Sequence, residues 1–494
     1  VLRDVATFAG SQYFLRLAGL VKGFIVARVL GPTGNGLWQH FVIISEYAQY
    51  SQLGALQGLN KVLGHRIGRG DEASSAAARE TGTGAVMGSA ILLWLALCGW
   101  VALRWEHLDP ADRWGLPLLG LVVVFEQASF LTMTVLRAHS RIGVISAAET
   151  VFALSNLIVS VALMLRWGAA GLLVGWLLSR AATTWWMVRR GGYGFRPALV
   201  PAELRALLWV GTPIYLFQLT RVGIRNIDRV LVDSVLDRSM LGIYGLAVTI
   251  ASLVRYVADA IGFVVYPLFL RSYGETGDAR APRSLLTRPT ELLALLVPIA
   301  LGASYLLLHL PVLWLLPEFV ASIEIYRLLT LSMAFQCLAV LPGFYLMAID
   351  RQNGLVPLGL AAIGFDYFGG RWMIEAGWGL PGVALTMGVG SFLYCTVILL
   401  HAGTFAWGSA RLSTLWTLRL YAPLTLFAAL VAALRWTAPH TPLAAAGETW
   451  RASVEGAVFL GVALPVLAAY ERRHGVLRTL RRRGNSSSDP SPEG

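Results

Sequence analysis

Charge is what this chain has least of. Asp, Glu, Lys and Arg make up 14% of its 494 residues, against about 25% in a soluble globular protein. Lysine is almost missing: Lys22 and Lys61 follow Val21 and Asn60, so no Gly-Lys-Ser/Thr phosphate loop can be built. No His-Glu-x-x-His pair occurs. Cys98, Cys337 and Cys395 are isolated thiols inside apolar runs, an odd and widely spaced set that excludes a disulfide framework or a metal site and reads as small buried core residues. No stretch alternates as a membrane barrel strand would. The polar segments between apolar runs reach only about 20 residues, too short for a soluble catalytic domain. These absences point away from an enzyme, and no cofactor is expected. Asp71 and Glu72 read as a solvated turn.

Apolar residues are abundant instead: 56% are hydrophobic, and mean hydropathy is +0.63. Runs of about 20 recur from end to end, the length of helix that spans a hydrocarbon core. Helices satisfy every backbone group internally, so the fold class is an all-α membrane protein of about 14 transmembrane helices. The spans fall at roughly 7–30, 37–62, 81–104, 115–137, 145–166, 170–188, 207–233, 240–270, 289–310, 323–349, 355–372, 381–402, 418–436 and 453–471. The first has basic residues in its middle and no small-residue cleavage site, unlike a signal peptide. With the N-terminus inside, roughly 24 of the 40 Lys and Arg are cytoplasmic and about seven external. Arg66, Arg69, Arg79, Arg137, Arg141, Arg189, Arg190, Arg196 and Arg205 are among the cytoplasmic ones. The even span count puts both termini on that side. The net charge of +12 is therefore topological rather than a nucleic-acid footprint, and no nucleic acid is expected as a partner. The segment Arg472 to Arg483 would lie against anionic headgroups, and Gly484 to Gly494 reads as a Ser/Pro-rich disordered end.

The chain repeats itself at an offset of about 206 residues. Val29 to Trp38 aligns without a gap on Val235 to Tyr244, with Gly36 over Gly242. Ala138 and Arg141 match Ala348 and Arg351, and Trp167-Gly168 matches Trp378-Gly379. The matches fall at equivalent turns and give two six-helix lobes of like orientation, with a site expected between them. The resulting organisation is an N-terminal lobe at 1–206, a C-terminal lobe at 207–403, two additional helices at 404–471 and a basic, then disordered, cytoplasmic tail at 472–494.

Several charges fall inside spans, where each costs about 2.5–3.5 kcal/mol at the helix centre unless it meets water or a partner. At 100° per residue they form stripes. Gln218, Arg221, Arg225, Asp228 and Arg229 share one face of the seventh span. Ser252, Arg255, Asp259 and Tyr266 share one on the eighth, Gln39, Glu46, Tyr50, Gln57 and Asn60 on the second, and Glu149, Asn156 and Ser160 on the fifth. On the first span, Arg16, Lys22 and Arg28 point about 120° apart. Arg16 is the better lumen candidate, Lys22 stays ambiguous, and Arg28 lies near the outer end. Two readings remain: interhelical or local pairs such as Arg255–Asp259 and either Arg225–Asp228 or Arg229–Asp228, or a cationic lumen. Surplus arginine on the seventh span favours a lumen for an anion, and guanidinium forks suit a diphosphate.

The turn Leu30-Gly31-Pro32-Thr33-Gly34-Asn35-Gly36-Leu37-Trp38 resembles the first external turn of bacterial oligosaccharide flippases, the Wzx-type branch of the multidrug/oligosaccharidyl-lipid/polysaccharide exporter superfamily. Asp228-Arg229-Val230-Leu231-Val232 with Leu241-Gly242-Ile243-Tyr244, and Tyr266-Pro267 before Arg271, are similar to two further regions of that family. The resemblance covers roughly residues 1–410. It implies an inner-membrane carrier that turns undecaprenyl-diphosphate-linked oligosaccharide units, O-antigen or other surface-polysaccharide repeats, from the cytoplasmic to the periplasmic leaflet by alternating access. Its partners would be the lipid-linked oligosaccharide, the membrane, glycosyltransferases and a polysaccharide polymerase. The cationic lumen of the family would be carried here by Arg16, Lys22, Arg221, Arg225, Arg229 and Arg255, with Glu46, Asp228 and Asp259 as candidates for ion coupling. The alternatives are a lipid II-type flippase, a drug/cation antiporter of the same superfamily, and a membrane-embedded polysaccharide polymerase or ligase.

Overall fold

A computed structural model describes residues 2–351, 354–437 and 447–474, without the side chains of residues 2–17, 263, 471, 473 and 474. The described residues form helices and no strand. The fourteen expected spans are largely helical, but those at 37–62 and 240–270 are each interrupted by a turn, at residues 49–54 and 252–254. Among the described residues, eight helical stretches are long and apolar enough to cross a membrane, and a bent pair would make a ninth. The seventh expected span falls outside that set, in a 35-residue helix that bears Arg221, Arg225, Asp228, Arg229 and Asp233. The chain is an all-α membrane protein.

Two compact units are present, Val1–Gly245 and Leu246–Gly494. The first contains α1 (Leu2–Ala48), α2 (Ala55–Gly68), α3 (Glu72–Leu103), α4 (Pro110–Ala138), α5 (Ile142–Gly191), α6 (Pro201–Val235) and the start of α7 (Arg238–Ala251). Helix α1 runs through the first expected turn and bends at Gly31, at φ 65°. Pro32 disfavours helical backbone in the residue before it, and glycine takes the left-handed region without a Cβ clash. Helix α5 likewise carries two expected spans through a break at Trp167 and Gly168. Helix α1 packs mainly on α5, α3 on α4, α4 on α5, and α2 on α6. Asp71 opens α3 by accepting the Ser74 backbone N–H at 3.1 Å, and that bond holds its exposed carboxyl below the usual range.

The second unit contains the rest of α7, then α8 (Arg255–Thr276), bent 50° from it, α9 (Arg283–Leu307), α10 (His309–Leu315), α11 (Ala321–Leu338), α12 (Val340–Ala348), α13 (Leu355–Glu375), α14 (Gly379–Trp407), α15 (Ala410–Thr437) and α16 (Glu448–His474). Helix α14 is central, packed on α11, α13 and α15, while α9 carries α15 and α16. Phe427 and Phe459 meet edge to face at 5.8 Å in the core that joins those last helices to α9. Cys337 and Cys395 are buried and Cys98 is half-buried, all three as free thiols.

The repeated sequence is visible in local backbone. Ser140 and Asp350 take left-handed φ of 57° and 58°. Each is followed by an arginine whose N–H reaches five residues back, Arg141 to Leu136 at 2.9 Å and Arg351 to Leu346 at 2.8 Å. Gly168 and Gly379, aligned in the repeat, share φ of 57° and 54°.

The first turn meets its own repeat. A Cβ at Gly36 would overlap the carbonyl of Arg238, and one at Gly242 would overlap the carbonyl of Pro32. Gly242 is the repeat partner of Gly36 and Arg238 that of Pro32, so the contact is reciprocal. Asn35 Nδ2 donates to the Gly242 carbonyl at 2.8 Å beside it. Further along, Gly211 lies against Gly54, and Gly58 against the Leu207 carbonyl. Between helices that all face lipid tails, burial of apolar surface gives little drive to associate, so close backbone approach at small residues matters more. These glycines bring α6 and the start of α7 against the α1–α2 chain within the first compact unit.

Gly36→Ala or Gly242→Ala should each cost about 1–3 kcal/mol through overpacking. Thermal unfolding in detergent checks this, with Gly19→Ala, whose Cβ would meet nothing within 4 Å, expected to leave the midpoint unchanged.

Candidate functional site

The polar stripe of the second expected span and that of the seventh meet each other. The α1–α2 chain and α6 run antiparallel, and polar residues of the two meet at several levels. Arg229 NH1 donates to Gln39 Oε1 at 3.5 Å. Asn226 donates to Glu46 and accepts from Arg229, and Arg229 NH2 lies 3.6 Å from Glu46 Oε1. Tyr50 and Tyr215 pack their rings at 5.9 Å. Gln57 Nε2 donates to Gln218 Oε1 at 3.1 Å. Asn60 is exposed. The result is a polar seam along the length of both helices.

The candidate cations are held differently along it. Arg229 is engaged on three sides by Gln39, Glu46 and Asn226. Arg225 is half-buried, and its buried Nε meets no acceptor among the described residues. Arg221 and Arg225 both lie within electrostatic reach of Tyr50. Asp228 is 1% exposed and locked, accepting from Tyr244 Oη at 2.8 Å and from the Arg229 backbone at 2.8 Å. It therefore ties α6 to α7. Lys22 is buried, donates to Asn156 Oδ1 at 3.0 Å, and lies 4.9 Å from the centre of the Trp38 ring. The fifth-span stripe is thus divided, with Asn156 and Ser160 serving Lys22 and Glu149 serving another partner. Arg28 is exposed. The Arg16 side chain lies outside the described residues.

In the second unit Arg255 opens α8 just after the bend. Its Nε lies 3.8 Å from Asp259 Oδ2 and its NH1 donates to Gln336 Oε1 at 3.4 Å. Gln336 in turn reaches Ser332 and Ser391. Tyr266 stacks near Phe344 at 5.3 Å. The i,i+4 pair expected for Arg255 and Asp259 is formed; Asp228, expected beside Arg225, is instead held by Tyr244 and backbone.

Two polar centres were not anticipated. Arg180 on α5 is clasped by Glu126 of α4 through Nε at 2.8 Å and by Glu149 of α5 through NH1 at 3.0 Å. Trp176 adds a 2.7 Å bond to Glu126, and the Phe152 ring lies 3.4 Å from the guanidinium carbon. All three ionisable groups are buried. Glu126 and Arg180 stand alone on their spans, so no stripe marked them; their only signal was an isolated charge in an apolar run. The second centre adjoins the glycine contact, where His40 and Arg238 share two carboxylates. His40 approaches Asp233 at 2.6 Å and Asp112 at 3.6 Å; Arg238 donates to the same two at 3.0 and 3.1 Å.

The family model for polysaccharide biosynthesis proteins matches residues 25–309, more than half of the chain. The chain belongs to that family. The matched region holds the entire polar seam, the Arg180 cluster and Arg255. Among solved structures, the lipid II flippase MurJ in an inward closed conformation is 11% identical, with 94% of this chain and 99% of that one covered at a TM-score of 0.69. An inward-facing multidrug resistance MATE family transporter of the MOP superfamily is 17% identical, with 81% and 95% covered at 0.64. Its outward-facing counterpart is 14% identical, with 84% and 96% covered at 0.61. No curated protein matches by sequence. At these identities the likeness is one of fold: a family member with the architecture of MOP-superfamily transporters and flippases.

Removing one member of the Arg180 cluster leaves an uncompensated buried charge. Arg180→Gln should cost about 3–5 kcal/mol, and adding Glu126→Gln and Glu149→Gln should recover most of it. Melting curves of the single and triple variants in detergent test the pairing.

Proposed function

We propose that this protein flips undecaprenyl-diphosphate-linked oligosaccharide repeat units from the cytoplasmic to the periplasmic leaflet of the bacterial inner membrane, as a Wzx-type carrier with both termini cytoplasmic. It moves substrate by alternating access and catalyses no covalent step. The polysaccharide biosynthesis family match and the flippase fold support this reading.

The observation that carries it is Arg225. A guanidinium half-withdrawn from water with a buried donor and no acceptor is costly unless an anion completes it. Diphosphate supplies several acceptor oxygens in the geometry a guanidinium fork fits. Arg221 would add charge to the same headgroup path, and Arg16 would extend it along α1; Arg255 is the candidate substrate-binding cation of the second unit. Arg229 and Lys22, each engaged by side chains of the bundle, would contribute field more than direct contact. A drug/cation antiporter would want spare carboxylates, whereas Glu46 is taken up by Arg229 and Asn226. Passage of a headgroup would require the α1–α2 chain and α6 to part along their seam, exchanging Gln–Gln and Arg–Glu contacts for contacts with the glycan and its diphosphate. Glu46, Asp228 and Asp259 are the carboxylates through which an ion gradient would act on that exchange.

Arg225→Ala should lower surface glycan by about tenfold or more, the value of one or two charge-assisted hydrogen bonds, while the protein still inserts. Arg225→Lys should rescue only part, since a point charge lacks the fork. Arg472→Gln should have little effect. Surface-polysaccharide staining in a strain lacking its own flippase, with membrane-fraction blots, separates these outcomes; full export by the Arg225→Ala protein would overturn the role given to this residue.

A further inference from the structure

The second unit holds a cationic cluster that the flipping mechanism does not use. Arg327 lies in the second turn of α11, Arg435 near the end of α15, and Arg451 in the first turn of α16. Arg327 and Arg435 flank the Tyr305 ring at 5.2 and 5.9 Å and are close enough to repel each other. Glu455 is buried between Arg451 Nε at 2.9 Å and Arg435 Nε at 3.4 Å. Glu448 is mostly exposed, 3.6 Å from His309. Arg327 Nε, both Nε and NH2 of Arg435, and one acceptor, Glu455 Oε2, are buried with no hydrogen-bond partner among the described residues, so unfilled donors outnumber the unfilled acceptor. Residues 438–446, which join α15 to α16, contain no carboxylate. One buried and one exposed carboxylate thus face three arginines, and donors are left over.

A cavity of about 230 Å³ opens beneath this cluster. Arg435 and Tyr305 form its rim, and Pro298, Leu331, Leu424 and Phe427 line its depth. From Arg435 to Leu424 the helix descends about 16 Å, well into the hydrocarbon layer. The walls are apolar, so water is a poor occupant. Leu412, Leu418 and Leu426 are exposed on α15, as on a helix that faces lipid. Along α16, Glu448 and Arg472 are separated by about 36 Å of helix, enough to place the cluster at the membrane face opposite the basic tail.

A cationic rim over an apolar slot at the headgroup level is complementary to one ligand class. We propose that this site binds an anionic phospholipid of the leaflet opposite the basic tail, with its phosphate on Arg327 and Arg435 and one acyl chain in the cavity between α9, α11 and α15. The lipid phosphate takes the donors that the protein leaves unfilled, and the chain fills a space that would otherwise lack packing partners. The site is separate from the α1–α6 seam and does not depend on which substrate is flipped.

Native mass spectrometry of the full chain in detergent tests this, with phosphatidylglycerol and phosphatidylcholine of equal chain length as probes. The wild type should retain phosphatidylglycerol in preference to phosphatidylcholine by about tenfold. Arg327→Gln with Arg435→Gln should reduce that preference to about twofold or less, whereas Arg327→Lys with Arg435→Lys should keep most of it. Ala432→Phe, which fills the cavity and keeps the charges, should weaken retention of both lipids; this variant and the lysine pair decide the matter if the glutamine pair does not fold. Arg472→Gln should change nothing. The proposal is overturned if the wild type shows no preference, if the glutamine pair retains it, if Arg472→Gln removes it, or if millimolar inorganic phosphate displaces the lipid.

Discussion

A guanidinium inside a membrane protein has to find acceptors within the protein or in its cargo, because the surrounding hydrocarbon offers none. Much of this architecture follows from how that requirement is met at each arginine. Arg180 is met fully, by two buried carboxylates, and so fixes α4 against α5. Arg229 is met by Glu46, Asn226 and Gln39 and so joins α1 to α6. Arg238 is met by Asp112 and Asp233 at the end of the same seam. Arg225 is met incompletely. The series is graded, since the Nε of Arg229 is also buried without an acceptor among the described residues, and Arg225 is the member for which the bundle supplies the fewest partners.

Glycine does the complementary work. Polar contacts between helices need backbones close enough for short side chains to reach, and Gly36, Gly242, Gly54, Gly58 and Gly211 provide that proximity along one interface. The reciprocal meeting of Gly36 with Arg238 and Gly242 with Pro32 places the two copies of the duplicated turn against each other. Such a contact is tight yet mostly nonpolar, so it can part without stranding a charge. The charged layer formed by His40, Arg238, Asp112 and Asp233 beside it is more expensive to separate.

The helices, the bends at Gly31 and Gly168, and the repeated turns were readable from apolar run length and from glycine and proline, since those features act locally. The polar stripes were readable too, because 100° per residue fixes which side chains share a face. What a face looks toward is set by tertiary packing, which a period cannot supply. The stripe from Gln39 to Gln57 and that from Gln218 to Arg229 suggested a lumen, and they are paired with each other. Asp228 looked like a neighbour's counter-ion but is claimed by Tyr244 across the α6–α7 turn. Glu126 and Arg180 stayed hidden because one charge per helix makes no pattern. The close approaches at Gly36, Gly58 and Gly211 were equally illegible, since a glycine in an apolar run does not say which backbone it meets.

The proposed transport would require the seam between the α1–α2 chain and α6 to open and close. The most direct measurement is a reversible cross-link across it. Gln57→Cys with Gln218→Cys, placed in a chain whose Cys98, Cys337 and Cys395 are replaced by Ala or Ser, puts two thiols on residues whose long side chains meet end to end at 3.1 Å. The shorter cysteines are bridged by a bifunctional thiol reagent with a cleavable disulfide spacer rather than by a direct disulfide. The account predicts that the reagent stops surface-glycan export and that reductant restores it, with each single-cysteine variant indifferent to both. Export at the uncross-linked rate from a fully cross-linked population would contradict it.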